Sequence, residues 1–472
     1  MSRNLLHLDP ERFFPSDPTV RRIAARLHAQ VEGLPIISPH GHTDPSWFSG
    51  NAPFQDAVDL LLWPDHYLLR MLLSAGLTLE GLGLRPNDAA AVESDRRAIW
   101  RSFAEQYHIF RATPSRLWLD NVFASVFGLQ VRLDPTSADL YFDTINAALS
   151  TPQFRPRELF DRFNIEVLAT TEGALDPLDH HRAIAASDWK RRIITTFRPD
   201  DVIDPERAEF SANVSLLGEL TGEDTASWRG YLQALWKRRS FFREHGATAT
   251  DHGHPTALTA DLPERRARDL FAKVLSGRPR AADAELFRAQ MLTEMARMSC
   301  EDGMVMQLHP GAWRNHNEVL YRRFGRDKGG DLPTQTNFTA ALKPLLDRFG
   351  MRRDFTLILF TLDESTYSRE LAPLAGHYPG VRLGPAWWFH DAPDAMLRFR
   401  RSTTETAGFY NTVGFNDDTR AFFSIPARHD LARRIDCAYL AELVATSRLA
   451  EDEAADVAVE LAYRLAKSAY RL

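Results

Sequence analysis

The sequence predicts an α/β fold: a TIM-type (β/α)8 barrel with a mostly helical insertion after the first strand. Eight short β-rich segments recur along the 472 residues, and helical patterns lie between several of them. Strands that alternate with helices form βα units and a parallel sheet. Polar residues also follow nearly every predicted strand, and barrel enzymes carry their active-site residues at those strand ends.

The first predicted strand, residues 34–39, follows a lead-in with one amphipathic segment. The other strands are predicted at residues 165–171, 192–197, 247–251, 304–308, 355–361, 381–388 and 412–415. Residues 201–246, between the third and fourth strands, have room for helices of their own. The tail, residues 436–472, carries apolar stripes at helical spacing, which predict helices packed on the barrel exterior.

The segment between the first two strands is too long for a simple βα connection. It carries five helical patterns and many aromatic residues, which predict a helical core. We therefore divide the chain into residues 1–44 (lead-in and first strand), 45–160 (helical insertion) and 161–472 (the rest of the barrel with C-terminal helices).

Composition indicates a soluble protein of a reducing compartment, which we expect to be the cytoplasm. The net charge of -6 lacks the basic surplus of a nucleic-acid-binding protein, and two cysteines cannot build a disulfide framework or a thiolate zinc cluster. The N-terminus lacks a signal-peptide core, and no apolar stretch is long enough to span a membrane. We expect a small-molecule partner, without nucleic acid or membrane; a homo-oligomer stays open.

The first strand ends in two histidines that are spaced to bind a metal. His40 and His42 point to the same face of an extended chain, and Gly41 leaves the other face clear. Neutral imidazoles bind Zn²⁺ and similar ions. Alone, such a pair often caps a turn. In a closed barrel it would meet Asp417 or Asp418 after the last strand and His309 after the fifth, which together would form a mononuclear metal site.

Two further sets of residues are weaker candidates. His66 and Tyr67 are neighbours in a helical pattern, so both reach one site only if the helix begins or bends there. Arg314 and Arg420 each follow a strand end by a few residues, and Arg198 is a similar candidate after the third strand. Guanidinium groups bind carboxylates, so arginines at the barrel mouth would suit an acidic substrate, although surface arginines are common without any such role.

Eight motifs in this chain resemble, in the same order, those of the uronate isomerase (glucuronate isomerase) family of the amidohydrolase superfamily. They are SPHGHTDP (38–45), PDHY (64–67), LATTEGALDPLDHH (168–181), TFRPD (196–200), TDHGH (250–254), MQLHPGAWRN (306–315), GPAWWFHD (384–391) and DDTRAFFSIPARHD (417–430). The resemblance runs from about residue 30 to the C-terminus. One departure is Glu172-Gly173-Ala174, where an acidic pair is expected, and it bears on substrate preference.

The resemblance implies a distorted barrel that interconverts D-glucuronate and D-fructuronate, and D-galacturonate and D-tagaturonate. It implies one divalent metal ion, often Zn²⁺, and the residues matching the family's sites are listed by role. The metal ligands would be His40, His42 and Asp418, the active-site residues His66, Tyr67 and His309, and the substrate-binding residues Arg314 and Arg420. Beyond these matches we expect Asp418 to be catalytic as well, and Arg198 and Trp387 to bind substrate.

Aldose–ketose isomerisation needs a base at the C2 proton and an acid at the carbonyl oxygen, and the same proton can return to C1 of a cis-enediol. Asp418 or Tyr67 could be that base. The alternative within the superfamily is a metal-dependent hydrolase acting on a sugar lactone or amide. Its binuclear members carry a lysine after the fourth strand, where this chain has Asp251 and His252. A non-catalytic sugar-acid binding protein is a third hypothesis.

Overall fold

The computed structural model describes residues 5–277 and 279–472 and contains a curled parallel sheet surrounded by helices. The strands are listed in chain order. They are β1 (Ile36–Ser38), β2 (Ile165–Gly173), β3 (Arg192–Arg198), β4 (Ala249–His252), β5 (Val305–Leu308), β6 (Ala312–Trp313), β7 (Leu332–Pro333), β8 (Leu357–Leu359) and β9 (Val381–Leu383). Seven of them form the sheet in the order β1-β2-β3-β4-β5-β8-β9, while β6 and β7 form a separate two-stranded antiparallel sheet. The predicted barrel-type α/β fold is confirmed.

All pairs in the main sheet are parallel, and sequence neighbours lie side by side. The longest pairing places Val167 of β2 opposite Arg192 of β3 and continues to Gly173 opposite Arg198. Because side chains alternate along a strand, residues two apart share a face. Ile37, Ala169 and Ile194 pack together in one cluster, and Arg198 follows Ile194 at even spacing on the same face of β3. His40 and His42 lie beyond the end of β1 at Ser38, where the strand alternation no longer applies.

The eighth strand position is filled by a mostly irregular segment. Thr412 forms a single parallel bridge with Leu383 of β9, and the His42 amide donates to the Thr419 carbonyl at 3.0 Å, which links this segment back to the end of β1. The predicted strand at 412–415 is therefore shortened to one bridge. Gly414 has a φ of 73°, which ends the extended conformation.

The connection between β1 and β2 is helical, as predicted. Its helices are α2 (Pro45–Gly50), α3 (His66–Ser74), α4 (Arg96–Gln106), α5 (Pro114–Asn121), α6 (Ala138–Leu149) and α7 (Pro156–Arg162), after α1 (Pro18–Val31) in the lead-in. π-type turns at Val58–Leu62 and Val122–Val126 and 3₁₀ turns at Tyr107–Phe110 and Pro152–Phe154 join them. Most of their buried aromatic residues form one core with Ile36, Ile165 and Ile193 of the sheet, while Tyr67 and Trp118 pack in another.

The remaining helices surround the sheet. They are α8 (Asp179–Ala186), α9 (Asp200–Ile203), α10 (Phe210–Thr221), α11 (Trp228–Glu244), α12 (Glu264–Leu275), α13 (Ala281–Asp302), α14 (Glu318–Phe324), α15 (Lys343–Phe349), α16 (Ala372–His377), α17 (Pro393–Ala407), α18 (Ile425–Ala445), α19 (Glu451–Val459) and α20 (Leu465–Tyr470). Short π-type turns lie at Tyr367–Leu371 and Glu460–Arg464, and a 3₁₀ turn at Phe422–Ser424. Residues 201–246 do form helices of their own.

The prediction that the whole tail packs on the barrel exterior is wrong for its last helix. Ala466 packs against the interior residues Ile37, Val167 and Ile194, and Tyr470 belongs to the interior cluster of the other strands. Apolar stripes show that a helix is packed but not which surface it covers, so the sequence could not place α20. Within the described residues, every helix is too short or too polar to cross a bilayer.

Candidate active site

One cavity of about 1270 Å³ opens at the carboxyl end of the strands. Its lining includes every candidate site residue named from the sequence: His40, His42, His66, Tyr67, Arg198, His309, Arg314, Trp387, Asp418 and Arg420. These residues come from six regions of the chain and converge because parallel strands present their carboxyl ends at the same edge. Their location is thus as expected, while their individual roles stay predictions.

Two histidines meet one aspartate at the base of the cavity. The Nε2 atoms of His40 and His42 lie 3.4 and 3.2 Å from Asp418 Oδ1. The ring of His309 stacks on His40 with centroids 4.8 Å apart. Ligand atoms of His40, His309 and Asp418 lie within 4.8 Å of one another, so all three could bind the same ion. His309 is therefore a further potential ligand beside the predicted three.

The backbone presents Asp418 in an uncommon conformation. Its φ is 38°, in the left-handed region that a residue with a side chain seldom adopts. The Trp387 indole N–H donates to Asp418 Oδ2 at 2.5 Å. This bond fixes one carboxylate oxygen and leaves the other directed at the two imidazoles. Backbone strain of this kind concentrates at functional sites, so this turn fits a residue held for its chemistry.

The donor set fits a divalent cation. Asp418 Oδ1 and His309 Nε2 are buried and lack a hydrogen-bond partner, although buried polar atoms are almost always paired. Burial opposes ionisation of Asp418, but His40 and His42 outweigh it and hold the pKa of this carboxyl well below its usual range. Burial lowers the pKa of His42 and of His309, although Asp418 and Asp251 act against it. Burial also lowers the pKa of His40, but Asp418 and Asp251 outweigh it and raise that pKa above its ordinary value. Imidazole ligands must be neutral, so binding of a cation here would release the proton that His40 tends to hold.

Asp251 orients His309 from behind. Its Oδ1 lies 2.6 Å from His309 Nδ1, and its Oδ2 lies 3.1 Å from Arg198 Nη1. Burial raises the pKa of Asp251, but Arg198 and His309 reverse the shift and hold it well below the ordinary value. A carboxylate that accepts from one imidazole nitrogen leaves the other free as a ligand, the usual arrangement in metal-binding proteins.

The helical insertion contributes His66 and Tyr67 to the opposite wall. The Asp65 side chain accepts from the Tyr67 and Leu68 amides, which starts α3 at His66. Both residues therefore lie in the first turn of α3 and reach the cavity. The sequence predicts that they share one site only if a helix begins or bends at this point. Burial, followed by Arg420, lowers the pKa of His66 to about 3, so its imidazole is neutral at physiological pH.

Tyr67 belongs to a buried polar network. Its hydroxyl donates to Asp391 Oδ2 at 2.8 Å, and Arg428 Nη1 donates to the same oxygen at 2.9 Å. The Arg428 guanidinium also lies 3.5 Å above the Trp118 ring. Burial, reinforced by Asp391, raises the pKa of Tyr67 well above its usual value, so the phenol keeps its proton.

Two of the predicted arginines lie above these groups in ion pairs. Arg314 Nη1 donates to Asp331 Oδ2 at 2.7 Å, and Arg420 Nη2 lies 3.1 Å from Asp327 Oδ2. Both are more than a third exposed, so these pairs are weak and leave further N–H donors toward the cavity. Two aspartate-paired arginines therefore lie above the carboxylate and imidazoles at the base of the cavity.

A family model described as glucuronate isomerase matches residues 16–470. The chain belongs to the glucuronate isomerase family. A curated uronate isomerase of Rhizorhabdus wittichii is 65% identical over 467 residues, covering 99% of this chain and 99% of its own. This family membership separates the chain from the hydrolase alternative.

Solved structures of the glucuronate isomerase family share the whole architecture. The glucuronate isomerase from Caulobacter crescentus is 57% identical with a TM-score of 0.97, over 99% of this chain and 97% of its own. The uronate isomerase from Thermotoga maritima is 26% identical with a TM-score of 0.91, over 98% of this chain and 99% of its own. The barrel, its insertion and its tail helices are thus common features of this family.

Sequence reasoning missed several residues of this glucuronate isomerase family site. Asp391 and Arg428 lie inside two quoted motifs, but only their contacts with Tyr67 single them out. The sequence around Asp251 shows only that no lysine follows the fourth strand, whereas the structure places this carboxylate against His309. The departure at Glu172 does not reach the cavity lining, because the Thr195 hydroxyl donates to its carboxylate on the outer side of the sheet.

A second group of potential ligands lies outside the cavity base. Asp200, His252 and His254 offer three ligand atoms within 4.8 Å of one another, and all are buried. However, Arg198 Nε donates to Asp200 Oδ2 at 2.8 Å, and the Gly253 amide donates to both carboxylate oxygens. A guanidinium already neutralises this carboxylate, so we assign Asp200 to holding Arg198 in place.

Proposed function

We propose that this chain interconverts D-glucuronate and D-fructuronate, and D-galacturonate and D-tagaturonate, by moving a proton between C2 and C1. The observation that supports this most is the single cavity in which His40, His42 and Asp418 face Tyr67 below a rim of arginines. Membership of the glucuronate isomerase family supports the same reaction. The substrates are acidic sugars, whose carboxylate the remaining N–H donors of Arg314 and Arg420 would bind.

One divalent cation, which we propose to be Zn²⁺, would be held by His40, His42 and Asp418, with His309 within reach. Imidazole and carboxylate also accept manganese, iron or cobalt. Such an ion supplies Lewis acidity toward substrate oxygens. The buried unpartnered atoms of Asp418 and His309 support this assignment.

The Asp418 carboxylate is our candidate for the base at C2. The C2–H electron pair would form the C1=C2 bond of a cis-enediol while the C1 carbonyl oxygen takes a proton, for which the protonated phenol of Tyr67 is the candidate donor. Asp418 would then return its proton to C1, taking up the electron pair of the C1=C2 bond, while the O2–H pair forms the C2 carbonyl and the O2 proton passes to the Tyr67 phenolate. This gives the ketose and restores both side chains. Positioned acid–base groups of this kind contribute roughly 10²–10⁴-fold to rate.

The other residues bind and orient the substrate. Arg314, Arg420 and Arg198 would hold the carboxylate end, since each guanidinium has five N–H donors and the observed ion pairs use only some of them. Trp387 fixes Asp418 through its indole N–H, and His66 is a neutral hydrogen-bonding group beside Tyr67. The cytoplasmic location, homo-oligomerisation and the three-part division of the chain remain predictions.

The Asp418→Asn variant tests this proposal. We expect turnover of D-glucuronate to fall at least 10²-fold, because the amide is neither a base nor an anionic ligand. Asp363→Asn is the matched control: this aspartate also follows a barrel strand, but it caps a turn through Ser365 and lies outside the cavity lining. Near-normal turnover by Asp418→Asn would remove Asp418 from the mechanism, and hydrolysis of uronolactones or amides without isomerisation would replace the proposed reaction.

A further inference from the structure

The C-terminal helix closes the amino end of the barrel. Lys467 Nζ donates to Glu166 Oε1 at 2.7 Å, near the start of β2, and Arg471 Nη2 donates to the Asp354 carbonyl at 3.0 Å, just before β8. Between these anchors, Tyr470 enters the barrel and is fully buried among the interior side chains of Val305, Ile358 and Val413. The tail thus places one phenol hydroxyl beneath the site.

That hydroxyl belongs to a buried hydrogen-bond chain leading to His40. Tyr470 Oη lies 3.0 Å from Gln307 Oε1 and 3.1 Å from Asn416 Nδ2. Gln307 Nε2 lies 3.4 Å from His40 Nδ1. Gln307 is fully buried two residues before His309 on the same face of β5, and Asn416 is two residues before Asp418. The hydrogen-bond chain therefore contacts the proposed metal ligand His40. It links the segments that carry His309 and Asp418.

The direction of this chain is coupled to the tautomer of His40. An amide N–H pointing at Nδ1 favours the proton on Nε2, which lies 3.4 Å from Asp418 Oδ1. Binding an ion through Nε2 requires the proton on Nδ1 instead, and Nδ1–H needs an acceptor. Every member of the chain can reverse: the carboxamides rotate, and the phenol either donates or accepts. Gln307 would then accept from His40 and donate to Tyr470, which would donate to Asn416.

We propose that Gln307 and Tyr470 are positioning residues that hold His40 in the tautomer that binds the cation. This inference rests on the proposed metal site. A phenol that only filled space would not need two buried carboxamides as partners, whereas a reversible chain needs a member that can both donate and accept. Partners behind a metal-binding histidine typically change metal affinity 10- to 100-fold when they are removed.

The test measures the Kd for Zn²⁺ by competition with a chromophoric chelator on the full chain. We expect Tyr470→Phe to bind Zn²⁺ 10- to 100-fold more weakly, because it keeps the ring and removes only the hydroxyl. Tyr463→Phe is the matched control, because it removes a tail hydroxyl that donates to Glu166 and is not part of the hydrogen-bond chain to His40. Its Zn²⁺ affinity should stay within twofold of the wild type. Gln307→Glu should bind Zn²⁺ at least as tightly as the wild type, because a carboxylate accepts from His40 Nδ1–H.

The outcomes separate this inference from the proposed function. Wild-type binding that is lost in His40→Ala, but unchanged in Tyr470→Phe, would overturn the positioning role and leave the metal site standing. Absence of His40-dependent Zn²⁺ binding in the wild type would overturn both. If Tyr470→Phe does not fold, Gln307→Glu decides alone: weaker binding than in the wild type would contradict the role, since a carboxylate is the better acceptor.

Discussion

Gly253 is the position where a single added methyl group should disturb the site by a distance that the structure gives. A Cβ at Gly253 would lie 2.1 Å from Arg198 Nη2 and 2.9 Å from Asp200 Oδ2. Reaching an ordinary contact of 3.4 Å requires the guanidinium to retreat by about 1.3 Å. Gly253 does not have a positive φ, so its backbone conformation is one that alanine can adopt without strain. The added methyl group therefore acts by displacing the Arg198 side chain.

Arg198 cannot retreat without cost. Its Nε donates to Asp200, and its Nη1 contacts Asp251, which in turn orients His309. Misplacing a binding group by about 1 Å can cost about 10²-fold in rate. We therefore expect Gly253→Ala to lower kcat/KM for D-glucuronate about 10²-fold, with KM rising because Arg198 is proposed to bind the substrate carboxylate.

Steady-state kinetics, with circular dichroism and thermal unfolding on the same samples, measure this effect. Overpacking costs typically 1–3 kcal/mol, so the variant should remain folded. Gly33→Ala is the matched control, since no atom lies within 4 Å of its added Cβ. A folded Gly253→Ala enzyme with kcat/KM within twofold of the wild type would refute the fixed position of Arg198.

Two further predictions concern buried charges. Burial raises the pKa of Glu172 from 4.5 to about 7, so folding favours its protonated form and stability falls as pH rises from 4.5 to 7. Glu172→Gln should raise the free energy of unfolding at pH 8 by up to about 3 kcal/mol but change it little at pH 4. Urea titration at the two pH values measures this, and an equal gain at both would contradict the prediction. Arg428→Met should destabilise the fold by roughly 3–5 kcal/mol, because Asp391 and Asp65 lose their buried cation. Adding Asp391→Asn to this variant should recover part of the lost free energy of unfolding. Strictly additive losses in the double variant would exclude an energetic coupling between Arg428 and Asp391.

The parts of the fold that local patterns determine were predictable. The strand before His40 is a short apolar run, and the spacing of His40 and His42 alone places both imidazoles on one side. Strand lengths were harder: residues 381–388 were predicted as one strand, but β9 ends at Leu383. Gly384 packs its bare backbone against the Phe360 ring, and Pro385 has no N–H for the sheet.

The supporting residues of the site could not be predicted, because their partners are distant in the chain. Tyr67 and Asp391 are 324 residues apart, and Gln307 and Tyr470 are 163 residues apart. Such pairs exist only after the barrel closes and the tail enters its amino end. A single tyrosine in a helical pattern indicates a packed helix, and nothing local to Tyr470 distinguishes a surface helix from one that fills the barrel.

The measurement that tests the central claim most directly is an NMR assay of the purified protein with D-glucuronate in D₂O, with metal content determined on the same sample. We predict formation of D-fructuronate by protein that carries about one divalent ion per chain, and loss of conversion together with loss of the ion in His40→Ala. A metal-loaded, folded protein that converts neither D-glucuronate nor D-galacturonate would contradict the account.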